Sequence, residues 1–211
     1  MKKLFVFIFV PFILFAQSEF FENAVLGAKA DFIFSLNRDF SGMGGALGFS
    51  LSNVFDIGFE YSKVSFEKYD NESNNRMFYT AYNFKSNNTY LKVLLGYSHN
   101  STNVTYYNLS PSEFTGPLLG IIVSPKIFGN NSIELLPRFN VSMKFLSKAS
   151  KRDDGRNHNI SVGLEFNVIP KVNKEFYFVL APSISKSLSH SEVPLIYGFN
   201  LGLLFNIQRK S

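Results

Sequence analysis

Ile133–Phe145 reads I-E-L-L-P-R-F-N-V-S-M-K-F. Every second residue (Ile133, Leu135, Pro137, Phe139, Val141, Met143 and Phe145) is apolar. Between them stand Glu134, Leu136, Arg138, Asn140, Ser142 and Lys144, polar or charged but for one leucine. Successive strand side chains point to opposite sides, so the segment predicts a strand with one greasy and one charged face. The pattern recurs. In Val54–Val64, Phe55, Ile57, Phe59 and Tyr61 oppose Asp56, Gly58, Glu60 and Ser62. In Asn159–Val168, Ile160, Val162, Leu164, Phe166 and Val168 oppose Ser161, Gly163, Glu165 and Asn167.

Extended along the chain, the reading gives about ten strands, most of the length a tilted membrane-crossing strand needs. They are Ala24–Phe34, Gly44–Ser52, Val54–Val64, Arg76–Phe84, Thr89–Ser98, Gly116–Ser124, Ser132–Leu146, Asn159–Val168, Glu175–Lys186 and Leu195–Ile207. The fourth, sixth and ninth alternate less cleanly, and eight strands is the nearest rival count. The connections sort by length. Asn53, Lys85–Asn88, Pro125–Asn131 and Ile169–Lys174 are short. Ser35–Met43, Ser65–Asn75, His99–Thr115, Ser147–His158 and Ser187–Pro194 are longer and polar. Short turns at one end and long loops at the other are the habit of outer-membrane barrels. The predicted fold is all-β: a closed antiparallel transmembrane β-barrel. A soluble lipocalin-like barrel uses the same alternation with the apolar face inward. The loop sorting and the absence of Trp in the chain weigh against it.

The start of the chain predicts export. Lys2 and Lys3 precede a nearly unbroken apolar run from Leu4 to Phe15, and Ala16-Gln17 offers a cleavage point. That run falls short of the ~20 residues of a membrane-spanning helix and fits a signal peptide. The reading divides the 211 residues into a signal peptide, 1–16, and one barrel domain, 17–211. With no Cys, a disulfide scaffold, Cys-based metal sites and a lipid-anchored lipoprotein are excluded. The formal charge of +5 is spread along the chain and includes Lys2 and Lys3, so no basic face for nucleic acid is expected.

Signal peptide, dyad strands and sorted loops together resemble the small bacterial outer-membrane barrels of the OmpA/OmpX and PorT-like kind. Gly198–Ile207 resembles their aromatic-rich terminal strand, although Gln208–Ser211 follow it. The resemblance implies location in the cell outer membrane. It also implies contact with outer-membrane lipid and lipopolysaccharide, insertion by the barrel-insertion machinery, and an extracellular or secretion-system partner. Roles in such families range over adhesion, envelope integrity, secretion and small porin-like channels, so the fold alone selects none. The expectation is a non-enzymatic barrel acting through its extracellular loops, with a narrow solute channel as the alternative.

The candidate site is the polar face: Lys29, Asp31, Asp56, Glu60, Lys92, Glu134, Arg138, Lys144 and Glu165. A barrel of about ten strands has a narrow interior, where mixed charges pair across the lumen as a network. Inward Gly48, Ser50, Gly58, Ser62, Gly96, Ser98, Ser161 and Gly163 leave room that a channel would use. His99, His158 and His190 fall at the loop end, with Asp153 and Asp154 near His158. Such a pair resembles the rim of the omptin proteases, a less favoured reading, because K-R-D-D-G-R reads as a solvated turn. No cofactor or metal motif appears. Gly42-x-Gly44-Gly45 precedes no helix and reads as a loop-to-strand junction. Tyr61, Tyr97 and Tyr197 are expected in a loop-side aromatic girdle, and Tyr177 and Phe205 in a turn-side one.

Overall fold

A computed structural model describes residues 24–51, 54–66, 71–86, 88–104, 109–148, 156–189 and 194–208. Residues 1–16, expected to be a signal peptide, and Asp153, Asp154 and His190 lie outside them. The strands are β1 (Ala24–Leu36), β2 (Ser41–Leu51), β3 (Phe55–Phe66), β4 (Asn71–Ser86), β5 (Thr89–Val104), β6 (Leu109–Pro125), β7 (Phe128–Gly129), β8 (Ile133–Lys148), β9 (Arg156–Pro170), β10 (Phe176–Ser187) and β11 (Ile196–Gln208). Each pairs antiparallel with its chain neighbour except β6 with β7; β1 pairs with β11, and β6 pairs with β8, so the sheet closes on itself. Ten strands form the wall. The eleventh, β7, continues the ladder of β6 along β8: Val123 faces Phe139, then Phe128 faces Leu135, a one-residue slip of the kind a bulge produces.

The polarity is inside-out. On β1 the outward side chains are Leu26, Ala28, Ala30, Phe32, Phe34 and Leu36, while Lys29, Asp31, Ile33 and Ser35 are buried within. On β11, Tyr197, Phe199, Leu201, Leu203 and Ile207 are exposed, and Asn200, Leu204 and Asn206 are buried. Exposure of large hydrophobics continues around the wall through Phe49, Phe59, Phe78, Leu95, Ile121, Phe139, Leu164 and Phe178. A soluble protein rarely exposes apolar surface on this scale, and a lipocalin-like barrel would bury these residues. No helix of the described residues is long and apolar enough to cross a membrane, and the strands supply the crossing.

Strands four, six and nine of the sequence reading look irregular for one reason. Their inward faces carry apolar residues as well: Met77, Tyr79 and Ala81 on β4, Leu118 and Ile122 on β6, Val179 and Ala181 on β10. Both faces are then greasy and the contrast fades.

The loop end departs from expectation. β4 starts at Asn71, β5 runs on to Val104, and β6 starts at Leu109. Much of the polar sequence read as long loops is therefore paired strand, standing above the apolar band. Asn75 faces Asn100, and Ser73 faces Thr102, in an unbroken ladder. Hydropathy contrast ends where the band ends, but backbone pairing does not. The wall is taller from β4 to β9, at 15–17 residues per full-length strand, than over β1–β3 and β10–β11, at 11–13. The Gly42–Gly45 segment lies inside β2 and is not a junction. Tyr177 does not join an outer girdle. It packs against the buried turn-end cluster, and its hydroxyl donates to the Lys174 carbonyl at 2.9 Å.

This polarity predicts a depth-dependent response along one face of β9. Leu164→Arg puts a charge in the middle of the apolar band and should cost about 2–4 kcal/mol, whereas His158→Arg, above the band, should cost roughly 0–1 kcal/mol. Heat-modifiable gel mobility after refolding into lipid vesicles measures both. Equal folding of the two variants would contradict the band.

Candidate functional site: the closed lumen and the polar rim

The lumen holds a charge-balanced layer. Four cations (Lys29, Lys92, Arg138, Lys144) and four carboxylates (Asp31, Asp56, Glu60, Glu165) are buried there. Arg138 Nη1 donates to Glu165 Oε1 at 2.6 Å, and Asn200 Nδ2 donates to Glu165 Oε2 at 2.9 Å. Arg138 and Glu165 face each other across β8 and β9. Asn200 reaches Glu165 from β11 over Ser183, a small residue of the intervening β10. Lys29 pairs with Asp31 at 2.9 Å, and Lys92 with Asp56 at 3.0 Å. Lys144 supplies the opposite charge that acts on Glu60. Buried ions are tolerated only when answered in this way.

Glu134 does not belong to this layer. It shares the inward face of β8, but Leu136 stands between it and Arg138 and is itself buried in the turn-end apolar cluster. Glu134 is half-buried at the turn end, in an ion pair with Lys126 and at 3.5 Å from Lys171, whose Nζ also donates to the Asn130 carbonyl at 3.0 Å. Alternation assigns its face correctly, but height along the barrel takes it out of the network.

Apolar clusters flank the charged layer at both ends. At the turn end Tyr90, Leu136, Ile169, Val179, Ala181 and Leu204 pack together. At the loop end Ile33, Phe40, Ala46, Val64 and Ile196 do the same. Phe40 is only 2% exposed although it lies in the β1–β2 connection. The Asn37 side chain explains this: its Oδ1 accepts from the Asp39 and Phe40 N–H groups at 2.7 and 3.0 Å. This Asx turn folds the connection back and drops Phe40 into the mouth, edge-on to Phe66 at 5.7 Å.

Glycines make room for the filling side chains. Tyr79 stands directly between Gly58 on β3 and Gly96 on β5. A Cβ at Gly58 would collide with the Tyr79 ring, so the glycine lets the phenol lie flat along the inner wall. Gly163 likewise leaves space for the Asn140 amide. Sequence reasoning found these small residues and read them as leaving room that the alternative, a channel, would use; beside Gly58 and Gly163 that room is taken by the Tyr79 ring and the Asn140 amide. It missed Phe40, Tyr79 and Asn200. Only the cross-strand register, which one sequence does not print, brings Tyr79 against its two glycines.

His99 and His158 face away from the lumen. His99 is on the outer face of β5, opposite Arg76. His158, on the outer face of β9, packs edge-on to Phe145 at 5.4 Å. They stand on separate strands and share no acid partner among the described residues. Those residues also hold no cluster of metal-ligating side chains.

The class defined by this arrangement is the transmembrane β-barrel with a filled polar interior. No family model and no curated protein matches the chain. Solved structures do. The β domain of the Bordetella autotransporter BrkA matches with a TM-score of 0.53 and 11% identity, over 87% of this chain and 100% of that one. The translocator domain of the autotransporter NalP from Neisseria meningitidis matches with a TM-score of 0.50 and 9% identity, over 86% and 88%. Neighbours of this kind are bacterial outer-membrane β-barrels. At these identities the likeness is one of fold.

The lumen makes a prediction of its own. Arg138→Met leaves Glu165 buried with only Asn200 as partner and should destabilise the barrel by about 3–5 kcal/mol. Arg138→Met combined with Glu165→Leu should recover most of that loss. Denaturant titration of the vesicle-embedded barrel, read by gel mobility, measures the coupling; strictly additive losses would mean that the pair is not a unit.

Proposed function

We propose that this chain is an outer-membrane barrel of the small OmpA/OmpX and PorT-like kind that passes no solute, catalyses no reaction and acts through the polar rim at its loop end. The role is one of adhesion, envelope integrity or secretion-associated contact. The observation that carries the reading is the pair of apolar clusters enclosing a charge-balanced layer. A conducting pore needs a continuous wet path, and Phe40 with Ile33, Val64 and Ile196 interrupts it at the mouth. The inside-out polarity and the autotransporter-like fold support the outer membrane as the location, with the loop end facing outward. The tall β4–β9 wall supports the rim as the working surface: Asn71–Arg76 and His99–Thr102 offer amides, hydroxyls and charges on a paired, rigid scaffold. His99 and His158 stand on separate strands with no acid partner among the described residues, which supports a non-catalytic role, since a general base needs an oriented partner.

Planar-bilayer recording tests the reading. The wild type should give no steady single-channel steps, while truncating both clusters together (Phe40→Ala and Ile33→Ala with Leu136→Ala and Leu204→Ala) should introduce them. Steady steps in the wild type that change on replacing Arg138 would establish a narrow channel instead. Separately, His99→Gln/His158→Gln/His190→Gln should leave the cellular phenotype intact, whereas substitutions on the β4–β5 rim should abolish it without impairing folding.

A further inference from the structure

On β3, β4 and β5 the outer face carries no charged side chain along its apolar run. On β3 the outward residues rise through Phe55, Ile57, Phe59 and Tyr61 to Lys63. On β4 they rise through Phe84, Tyr82, Thr80 and Phe78 to Arg76, and on β5 through Leu91, Val93, Leu95 and Tyr97 to His99. Tyr61, Arg76 and His99 are cross-strand partners in one row, directly above the row Phe59, Phe78 and Tyr97. Arg76 is exposed. Its neighbours on this face are Tyr61, Lys63, Asn74, Phe78, His99 and Ser101, with no carboxylate among them. The nearby acid, Glu72, is held by Lys63 at 2.6 Å. The other, Glu113, lies two strands away in the row above, opposite Ser101. On the row above, Asn74 Oδ1 accepts from the Tyr61 hydroxyl at 2.8 Å, and among the described residues no carboxylate stands beside Arg76 on this face.

A guanidinium without an acid, set where hydrocarbon gives way to water, has a specific complement. The ligand must bring an anion with a flat pair of acceptor oxygens and an acyl chain that runs down the apolar rows. Free phosphate meets the first requirement and not the second. A soluble acidic protein would have to displace the lipid covering Phe59, Phe78 and Tyr97. We propose that Arg76, flanked by His99 and Tyr61, binds the phosphorylated headgroup of a lipid in the leaflet at the loop end, with that lipid's acyl chains lying on the Phe59–Phe78–Tyr97 surface. The Arg fork takes two phosphate oxygens, His99 donates a third hydrogen bond, and Lys63, already paired, adds only long-range attraction. This rests on the membrane-barrel reading above and names a ligand for its outer wall.

The test uses the full chain folded in non-ionic detergent, incubated with lipid A, dephosphorylated lipid A, phosphatidylglycerol or phosphatidylcholine, with retained lipid counted by native mass spectrometry. The wild type should retain lipid A and lose it on dephosphorylation. Arg76→Gln should weaken retention roughly tenfold or more, the loss expected for a charge-assisted bidentate contact. Arg76→Lys should recover part of it, and Lys186→Gln, on β10, should leave it unchanged. Phosphatidylglycerol retained as well as lipid A would support recognition of the phosphate alone; lipid A retained in preference would support a phosphorylated saccharolipid. Equal retention by Arg76→Gln and the wild type, or of dephosphorylated and intact lipid A, would overturn the site. Should the chain fail to give heat-modifiable mobility in detergent, the membrane reading falls, and the site with it. A folded barrel indifferent to Arg76 overturns the site alone.

Discussion

In hydrocarbon a backbone N–H or C=O has no water to turn to, and that constraint governs this molecule. A sheet with free edges would leave rows of unpaired groups facing lipid. The chain avoids them by pairing β1 with β11 and β6 with β8, so no wall strand has a free edge. The prolines within the wall obey the same constraint. Pro117 and Pro182 point outward, and each coincides with a skipped step in one ladder: β6 with β8 between Thr115 and Leu118, β10 with β9 between Leu180 and Ser183. Pro182 keeps its place in the other ladder, opposite Phe199. The lost donors are thus confined to single steps between strands held firmly elsewhere.

Closure creates an interior that must be filled. With ten wall strands the two inner surfaces are close enough for side chains from opposite walls to meet. The protein fills the middle with balanced charge beside an apolar cluster on β4–β6 (Met77, Tyr79, Ala81, Leu94, Leu118 and Ile122) and lines both ends with apolar groups. Removing a single charge from such a layer is costly because it leaves a buried partner without its nearest counter-ion. Polar layer and apolar ends reinforce each other: Leu136 and Leu204 below, and Ile33 and Val64 above, keep water from the ion pairs they flank.

The rim follows from the same ladder. Where the apolar band stops, β4, β5 and β6 continue as paired strands carrying Asn, Ser and Thr. Pairing makes this surface stiffer than a loop of equal length, which suits a contact surface. The change from Phe78 to Arg76 on β4, and from Tyr97 to His99 on β5, marks the level at which lipid chemistry changes from chain to headgroup.

The sequence by itself determined the class, because the period-two alternation of segments such as Ile133–Phe145 depends only on local strand geometry and on which solvent each face meets. It also determined the inward face of each charged residue, since face is a matter of parity: Lys29, Asp56, Arg138 and Glu165 could be assigned from odd and even positions alone. Height, partners and closure are not local. Glu134 has the parity of Arg138 yet sits below the turn-end cluster, because its height is set by where β8 enters the wall. Phe40, in a connection, reaches the mouth only because the Asn37 turn and the β1–β2 register aim it there. Tyr79 finds Gly58 and Gly96 through pairings between strands, and Asn200 reaches Glu165 across an intervening strand. Which side chains occupy the lumen was therefore decided by tertiary structure. Inward-facing glycines and serines leave room in a sequence, and only the fold places the side chains that occupy it.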